Sequence, residues 1–311
     1  MSAVPVSDLL EASEYRLDLE LLAGAEGLGN EIRAPRIQKP GLAVAGYTAQ
    51  IRPHRLQILG QTEISYLGTL SSEVRDRNIR QVFHAGAACF VVTKGLDVPP
   101  VFVEEAARTR TPLLRTPLRS SVFIERVTRY LGDRLAPTTR VHGVLVDVIE
   151  VGILLIGESG IGKSECALDL VRRGHRLVAD DVVRIRLYPP FRLVGEGEDL
   201  IRYHIEIRGI GILDIRELFG ITAIRDQKQV ELVVELVHWQ EGEEYERLGL
   251  EERSYRILGV DVPYLRIPVA PGRSIASVLE VAARNQLLKR MGHNSAIRLT
   301  ERLEAALREG R

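Results

Sequence analysis

The octapeptide from Gly157 to Ser164 limits what this chain can fold into more than any other stretch. It has the sequence Gly-Glu-Ser-Gly-Ile-Gly-Lys-Ser, which matches the G-x-x-x-x-G-K-[ST] pattern of a phosphate-binding loop. The apolar run Ile153–Ile156 precedes it as a buried strand would, and helical periodicity follows it until Gly174. The sequence therefore predicts a strand, a phosphate loop and a helix in immediate succession.

This loop has the residue types that triphosphate binding requires. Its glycines let successive backbone N–H groups surround phosphate oxygens, and the start of the helix adds partial positive charge. Lys163 is long enough to reach the terminal phosphates, and the Ser164 hydroxyl can ligate Mg²⁺. A glycine-rich turn that binds nothing is the alternative, but strand, loop, Lys-Ser pair and helix are all in register. We expect ATP with Mg²⁺ to bind at Gly157, Glu158, Ser159, Gly160, Ile161, Gly162, Lys163 and Ser164.

Length and composition exclude several classes of function. The chain has 311 residues, enough for two domains, and its 42 Lys and Arg residues balance 42 Asp and Glu residues. This balance argues against binding nucleic acid through bulk charge. Cys89 and Cys166 lack metal-ligand spacing, no signal-peptide pattern opens the chain, and no apolar run reaches membrane-spanning length. We expect a cytoplasmic protein with no nucleic-acid or membrane partner.

The first half of the chain predicts a small α/β domain. Candidate helices and strands alternate there, including a buried strand at Ala88–Thr93, although Leu17–Leu22 fits a helix or a strand equally well. The Pro137-containing segment Gly132–Arg140 has the composition of a linker. We therefore expect an N-terminal domain over residues 1–133 and a C-terminal domain over residues 134–311.

The C-terminal domain is expected to place an antiparallel strand pair beside the phosphate loop. Val141–Ile149 is rich in valine and precedes the strand Ile153–Ile156 closely. A two-residue turn at Glu150-Val151, or one displaced to Gly152, would fold the two strands into a hairpin. A purely parallel doubly wound sheet would lack such a pair.

Two adjacent carboxylates follow the next predicted strand, Arg176–Ala179. Asp180 and Asp181 are placed where carboxylates can hold Mg²⁺ or act as general base toward an attacking hydroxyl. An acidic turn without a role is the alternative. The phosphate loop upstream favours the functional interpretation.

Four further features are ambiguous on their own. His142 occupies a strand edge, where a surface histidine is the commoner case, and Glu206 could simply face water in an alternating strand. Arg247 lies in an acidic loop, where a solvated salt bridge would explain it. The stiff segment Pro268–Arg273 delivers an arginine just before a helix, which suits phosphate binding or a plain turn.

Taken together, these segments resemble the bacterial HPr kinase/phosphorylase family over nearly the whole chain. The phosphate loop is generic, but its combination with Ala179-Asp180-Asp181 and with the Glu-Ile-Arg-Gly-Ile-Gly motif is specific. The matching pieces are Val141–Val146, Gly157–Leu170, Arg173–Asp181, Glu206–Gly211, Arg247–Leu250, Pro268–Arg273, Lys39–Leu42 and Gln57–Glu63.

The resemblance implies a reversible enzyme with two co-substrates. Such an enzyme phosphorylates a serine of the phosphocarrier protein HPr with ATP, and removes that phosphate with inorganic phosphate, releasing pyrophosphate. It also implies a C-terminal phosphate-loop domain resembling phosphoenolpyruvate carboxykinase, a homohexamer, and regulation of carbon metabolism.

The resemblance further implies roles for residues at matching positions. Asp181 would accept the serine proton in the forward direction and return it in reverse, with Asp180 supporting it. His142, Lys163 and Arg247 would complete the catalytic set, and Ser164 and Glu206 would hold Mg²⁺. The catalytic-loop motif would comprise Ile205, Glu206, Ile207, Arg208, Gly209, Ile210, Gly211, Ile212, Leu213 and Asp214, and the phosphorolysis loop Pro268, Val269, Ala270, Pro271, Gly272 and Arg273.

Three positions depart from the family pattern. Ala270 stands where the family more often carries Arg, Ser274 where Asn is usual, and Cys166 where Thr is usual. The first two lie in or beside the loop that the family uses for phosphorolysis, which favours the kinase direction. Cys166 lies in the helix after the phosphate loop and is expected to affect only packing.

Two other functions remain open from the sequence. A small-molecule kinase would use the same loop with an acceptor held in a closable cleft rather than an open one. A nucleotide-dependent sensor would bind ATP without transferring phosphate, although Lys163, Ser164, Asp181 and Glu206 are all present. A nucleic-acid motor would need a second motor domain or basic stripes, and the sequence has neither.

Overall fold

The computed structural model describes residues 3–240, 253–270 and 272–308. By its internal contacts the chain divides into two compact units, Met1–Ala136 and Pro137–Arg311. Each unit combines helices with a sheet. None of the helices in the described part of the chain combines the length and the apolar character that a membrane crossing requires.

The first unit is built on a four-stranded sheet. The strands of this unit are β1 (Val4–Pro5), β2 (Glu20–Ala23), β3 (Glu31–Ile32), β4 (Leu56–Leu59), β5 (Cys89–Val92) and β6 (Leu113–Arg115). Its helices are α1 (Ser7–Glu11), α2 (Gly41–Val44), α3 (Gln61–Thr69), α4 (Ser72–Phe83), α5 (Pro100–Thr109) and α6 (Ser120–Leu135). The sheet order is β2-β6-β5-β4, with β4, β5 and β6 parallel and β2 antiparallel to β6, while β1 pairs with β3. The ambiguous stretch Leu17–Leu22 thus leads into a strand.

Helices cover both faces of this sheet, which explains why its central strands are continuous apolar runs. On one face, Phe123 and Tyr130 of α6 pack with Ile58 and Val91. On the other face, helices α4 and α5 pack with Leu59, Phe90 and Val92. Because neighbouring residues of a strand point to opposite faces, each strand contributes to both clusters.

The second unit contains two larger sheets and a hairpin. Its strands are β7 (Thr138–His142), β8 (Val144–Val148), β9 (Val151–Gly157), β10 (Arg176–Ala179), β11 (Val182–Tyr188), β12 (Arg192–Gly197), β13 (His204–Ile207), β14 (Gly211–Asp214), β15 (Gln227–Gln229), β16 (Leu232–His238), β17 (Arg253–Ile257) and β18 (Val260–Val269). Its helices are α7 (Lys163–Arg172), α8 (Ile215–Phe219), α9 (Ile275–Arg290) and α10 (Ser295–Arg308). The six-stranded sheet has the order β10-β8-β9-β16-β18-β17, the four-stranded sheet the order β15-β12-β11-β7, and β13 pairs with β14.

The antiparallel pair expected beside the phosphate loop is confirmed, but its turn was placed one residue too late. Strands β8 and β9 pair with Val148 opposite Val151, so the turn is Ile149-Glu150. Both turn residues have positive φ, 52° and 60°, as a type I′ turn requires. Val151 is not a turn residue because it pairs with Val148 as the first residue of β9, where it is fully buried.

The six-stranded sheet lies between helices and the second sheet. Helices α7 and α9 cover one face, where Leu170 and Leu279 pack with Val234 of β16. On the opposite face, Val183 and Leu193 of the four-stranded sheet join a second apolar cluster. Strands β9, β16 and β18 run parallel, so their carboxyl ends meet at one edge, where the phosphate loop begins.

Truncating Leu170 should destabilise the second unit strongly. This α7 side chain is fully buried, and Leu→Ala changes at such positions cost about 2–5 kcal/mol because the cavity collapses only partly. The chain's single tryptophan, Trp239, lies in this unit, so the free energy of unfolding can be followed by its fluorescence in urea. Leu288→Ala is the matched control, because that α9 leucine is 42% exposed and its loss should cost well under half as much. Equal losses for the two variants would contradict the packing described.

Candidate active site

The phosphate loop joins the carboxyl end of β9 to the amino end of α7, as the sequence predicts. Gly157, Gly160 and Gly162 have φ values of 139°, 83° and 100°, a region that side chains with a Cβ rarely adopt. At Gly157, a Cβ would also come within 2.4 Å of the Leu236 carbonyl oxygen on the neighbouring strand. The loop therefore depends on glycine for both its backbone conformation and its packing.

Lys163 and Ser164 open the helix, and both side chains are held at the loop. The Lys163 Nζ donates hydrogen bonds to the carbonyl oxygens of Gly157 and Glu158, at 2.9 and 2.8 Å. The Ser164 hydroxyl donates to Asp180, at 2.9 Å from Oδ1 and 3.1 Å from Oδ2. The carboxylate that follows β10 is thus linked directly to the first turn of α7.

Asp180 is a buried member of this site. It is 7% exposed, and its Oδ2 also accepts a hydrogen bond from the Glu206 backbone N–H at 3.1 Å. Burial raises the pKa of Asp180 above its ordinary value, and the hydrogen bonds from Glu206 and Ser164 oppose that shift. Asp180 therefore connects three segments of the site and is not open to an acceptor.

Asp181 is in a different environment from its neighbour. Its φ of 66° turns the chain between β10 and β11, and its backbone carbonyl accepts from the Gly143 N–H at 2.9 Å. Its carboxylate lies 3.9 Å from the His142 Nδ1, with the Asp181 and His142 side chains 76% and 88% exposed. The two side chains meet because Val182 pairs with His142 across β11 and β7. An acceptor molecule could reach both of them.

One cavity of about 280 Å³ brings together His142, both aspartates, Glu206 and most of the phosphate loop. The residues that line it come from the phosphate loop, both aspartates and the β7–β8 and β13–β14 connections. They are His142, Gly143, Val144, Gly157, Ser159, Gly160, Gly162, Lys163, Ser164, Glu165, Asp180, Asp181, Glu206 and Arg208.

Several predicted site residues lie away from that lining. Within the phosphate loop, Glu158 and the buried Ile161 do not contribute to it. From the motif at positions 205–214, only Glu206 and Arg208 do. The segment 268–273 begins with the last two residues of β18, at the same sheet edge, and its described residues do not line the cavity. Arg247 and Pro271 lie outside the residues that the structure describes.

Arg208 is a cavity residue to which the sequence assigned no role of its own. A Cβ placed on Gly160 would lie 2.7 Å from the Arg208 Nη1, so the guanidinium rests directly against the phosphate loop. The sequence signal for it was the alternation of apolar and polar residues, since Ile205 and Ile207 are buried whereas Glu206 of β13 and Arg208, in the turn after β13, are exposed. Both charged residues line the cavity, one from β13 and the other from the turn that follows it.

The metal-binding capacity of the site depends on oxygen donors. Among the described residues, no cluster of three or more His, Cys, Asp or Glu side chains is placed to hold a metal ion. The cavity nevertheless offers the Ser164 hydroxyl and the carboxylates of Asp180 and Glu206. Mg²⁺ is usually bound by one or two carboxylates together with substrate phosphates and water, so this donor set fits it.

Cys166, one turn into α7, should be unreactive toward alkylating reagents in the folded protein. Burial raises the pKa of its thiol to about 12, so only about one thiol in ten thousand is thiolate at pH 8. Cys89 is fully buried, and burial raises the pKa of its thiol as well. We expect iodoacetamide to label neither cysteine in the native protein and both in guanidinium chloride, counted by mass spectrometry. Rapid native labelling of Cys166 would contradict the packing of α7.

Comparison with protein families matches both halves of the chain. Residues 4–131 match the family described as HPr Serine kinase N terminus. Residues 133–303 match the family described as HPr Serine kinase C-terminal domain. Together these two matches account for nearly every residue.

Individual proteins give the same result. The chain is 52% identical over 305 residues to the HPr kinase/phosphorylase of Geobacter sulfurreducens, covering 98% of this chain and 96% of that protein. It is 44% identical over 310 residues to the HPr kinase/phosphorylase of Geobacillus thermodenitrificans, covering 100% and 99%. Among solved structures, the Hpr(Ser) kinase/phosphatase of Coxiella burnetii aligns at 34% identity with a TM-score of 0.47, covering 52% of this chain and 98% of that one.

Proposed function

Since this chain belongs to the HPr serine kinase family, we propose that it transfers the γ-phosphoryl group of ATP to a serine of the phosphocarrier protein HPr and also reverses that transfer. The observation that carries the proposal is the exposed Asp181 carboxylate in the same cavity as Lys163 of the phosphate loop. A phosphate-binding group and an accessible base on one cavity are what transfer to a hydroxyl requires.

In the forward direction, the Asp181 carboxylate takes the proton of the serine hydroxyl as the oxygen attacks the γ-phosphorus. The bond from that phosphorus to the β–γ bridging oxygen breaks, and ADP leaves. Lys163 holds the terminal phosphates, and the loop N–H groups and the start of α7 stabilise their negative charge. His142 beside Asp181 and Arg208 against the loop add positive or hydrogen-bonding groups around the transferring phosphoryl.

In the reverse direction, an oxygen of inorganic phosphate attacks the phosphorus of phosphoserine. The serine Cβ–O–P linkage breaks at the P–O bond, pyrophosphate forms, and Asp181 returns the proton to the serine oxygen. We assign orientation of inorganic phosphate to Arg247 and to the segment 268–273. Ala270 and Ser274, where the family more often has Arg and Asn, favour the forward direction.

We also propose that Mg²⁺ is held by Ser164 and Glu206, with Asp180 positioning the Ser164 hydroxyl. The ion would neutralise part of the negative charge of the phosphates. Asp180 suits a positioning role because it is buried and bonded to both Ser164 and the Glu206 backbone.

At the level of the whole molecule, we propose an N-terminal domain over residues 1–133 and a catalytic domain over residues 134–311. We assign the catalytic domain the phosphate-loop topology of phosphoenolpyruvate carboxykinase. We further propose a cytoplasmic homohexamer that regulates carbon metabolism. These assignments rest on membership of the family.

A protein acceptor agrees with the site better than a small metabolite does. The side chains of Asp181 and His142 are 76% and 88% exposed, so a serine presented on a folded surface could reach them. An enzyme acting on a metabolite would need to enclose it and exclude water.

The decisive experiment combines the protein with ATP, Mg²⁺ and purified HPr, and measures HPr phosphoserine by mass spectrometry. Excess inorganic phosphate is then added, and pyrophosphate is measured. We expect phosphoserine in the first stage and its loss with stoichiometric pyrophosphate in the second. HPr whose serines are replaced by alanine is the control. Nucleotide binding without any HPr phosphorylation would instead support a non-catalytic sensor.

A further inference from the structure

The end of helix α7 is linked to the start of helix α9 by Arg173. This arginine follows the last residue of α7, and its guanidinium donates to the Ser277 Oγ at 3.1 Å and to the Ser274 Oγ at 3.3 Å. The Arg173 Nη1 also lies 3.5 Å from the Glu280 Oε2. Ser274 is the N-cap of α9, and the other two acceptors lie in its first two turns. Because a guanidinium is planar and carries several donors, these contacts fix the orientation of the two helix ends as well as their distance.

Further contacts hold this arginine from both helices. On the side of α7, the Arg173 Nε donates to the Asp169 Oδ2, one turn earlier, at 3.3 Å. On the side of α9, the Glu280 Oε1 is hydrogen-bonded to the His175 Nε2 at 2.9 Å, and the His175 side chain is only 12% exposed. Glu280 therefore contacts Arg173 with one oxygen and a nearly buried histidine with the other. Arg173 is held in one orientation by partners on both helices.

Ser274 is the residue that these contacts position most directly. Its Oγ caps α9 by accepting a hydrogen bond from the Ser277 N–H at 3.3 Å, and it accepts from Arg173 as well. The hydroxyl oxygens of Ser274 and Ser277 lie 3.0 Å apart. A hydroxyl oxygen has two lone pairs, so Ser274 can accept both hydrogen bonds and donate its own proton to Ser277. The N-cap of α9 and Arg173 thus belong to one hydrogen-bond network.

The segment that precedes this N-cap carries groups that suit phosphate. It ends at Arg273, whose guanidinium can bind phosphate through two donors, and the first N–H groups of α9 follow at once. One end of the segment is fixed by the sheet, because Val269 of β18 pairs with His238 of β16. The other end is Ser274, which Arg173 holds. The position of Arg273 therefore depends on the contact between Arg173 and Ser274.

We propose that Arg173 is a positioning residue for inorganic phosphate in the reverse reaction. By holding the N-cap of α9, it places Arg273 and the first N–H groups of α9 where they orient the attacking phosphate. This inference rests on the proposed function, in which segment 268–273 orients phosphate. Neither Arg173 nor Ser274 lines the phosphate-loop cavity, and Arg173 follows a helix roughly 15 Å long whose other end carries Lys163. Transfer from ATP should therefore not depend on Arg173.

The test measures both directions of the reaction with the full chain. Arg173→Met keeps an unbranched apolar side chain but removes every hydrogen bond from this position to α9. We expect the KM for inorganic phosphate, measured by pyrophosphate release from phosphorylated HPr, to rise at least tenfold. The kcat and the KM for ATP in HPr phosphorylation should stay within twofold of the wild type. Arg172→Met is the matched control and should alter neither direction, because this exposed α7 arginine leaves the helix roughly 100° away from Arg173.

Substitutions of Ser274 test the contact from its other side. Ser274→Ala removes both the cap and the acceptor for Arg173, so it should raise the KM for phosphate as Arg173→Met does. Ser274→Asn keeps an acceptor oxygen at the N-cap and should leave that KM at or below the wild-type value. The double variant Arg173→Met/Ser274→Ala should lie within threefold of the more affected single variant, because both substitutions remove the same contact.

Three results would overturn the proposal. One is an unchanged KM for phosphate in Arg173→Met. Another is an equal loss of activity in both directions, which would indicate a general role in folding. The third is full additivity of the two substitutions, which would mean that Arg173 and Ser274 act independently.

A wild-type protein that transfers phosphate in neither direction would contradict the proposed function instead. Hydrogen exchange tests the role of Arg173 in that case too, because it does not require activity. Exchange of residues 275–280 should be faster in Arg173→Met than in the wild type or in Arg172→Met. Equal exchange in the three proteins would overturn the positioning role.

Discussion

Replacing Asp181 with asparagine should reduce the rate of HPr phosphorylation by roughly 10²–10⁴-fold, the contribution typical of a positioned general base. Asparagine cannot accept the serine proton, but it is similar in size and tolerates the left-handed conformation that Asp181 adopts at φ 66°. Because the carboxylate is exposed and makes no hydrogen bond to the phosphate loop, affinity for ATP should change less than about threefold. Phosphoserine formation is measured by mass spectrometry and ATP affinity by calorimetry.

The same substitution should slow the reverse reaction by a similar factor, because both directions cross one transition state. The control is Asp199→Asn, an exposed aspartate of the same unit that does not line the cavity. That variant should keep its activity within about twofold. Turnover close to wild type in Asp181→Asn would remove the general-base role, whereas loss of ATP binding would indicate a structural role instead.

The two adjacent aspartates illustrate why sequence alone could not assign all the roles. Their position after a strand predicted that they belong to the site, and the structure brings both to its cavity. Their different roles depend on the burial of Asp180 and on the left-handed conformation of Asp181, which together place the two carboxylates in different environments. Aspartate adopts that conformation only occasionally, so the residue type gave no firm indication of it.

Local sequence patterns were sufficient to predict the elements that are formed by residues close together in the sequence. The phosphate loop, its strand and its helix have a sequence signature of fixed spacing, and all three form as predicted. The β8–β9 pairing also followed from local patterning, whereas the turn between them was misplaced by one residue. The position of such a turn depends on which two residues adopt positive φ. Isoleucine is not a residue type that indicates positive φ, so Ile149 was not recognised as a turn residue.

Contacts between distant segments could not be predicted in this way. His142 meets Asp181 only because β7 and β11 pair in a second sheet, a contact between segments about 40 residues apart. By itself, His142 was better explained as an ordinary strand-edge residue, and only the family resemblance gave it a role.

Replacing Lys163 with alanine should weaken binding of ATP with Mg²⁺ by about 10- to 150-fold, because a hydrogen bond to a charged group is worth about 1.5–3 kcal/mol. Lys163 Nζ now bonds to the Gly157 and Glu158 carbonyl oxygens at the mouth of the loop, within reach of a bound phosphate. Adenosine has no phosphate, so the difference in affinity between ATP and adenosine should shrink in the variant. Calorimetric titration of both ligands measures this.

The fold of Lys163→Ala can be checked separately, since urea unfolding followed by Trp239 fluorescence reports on the same unit. Lys289→Ala removes another lysine of that unit, from helix α9 and outside the phosphate-loop cavity, and should bind ATP like the wild type. Unchanged ATP affinity in a folded Lys163→Ala protein would mean that the loop does not hold the terminal phosphates. The γ-phosphoryl group of ATP would then not be held in place for transfer. Asp181 can take the serine proton productively only when the serine hydroxyl faces the γ-phosphorus.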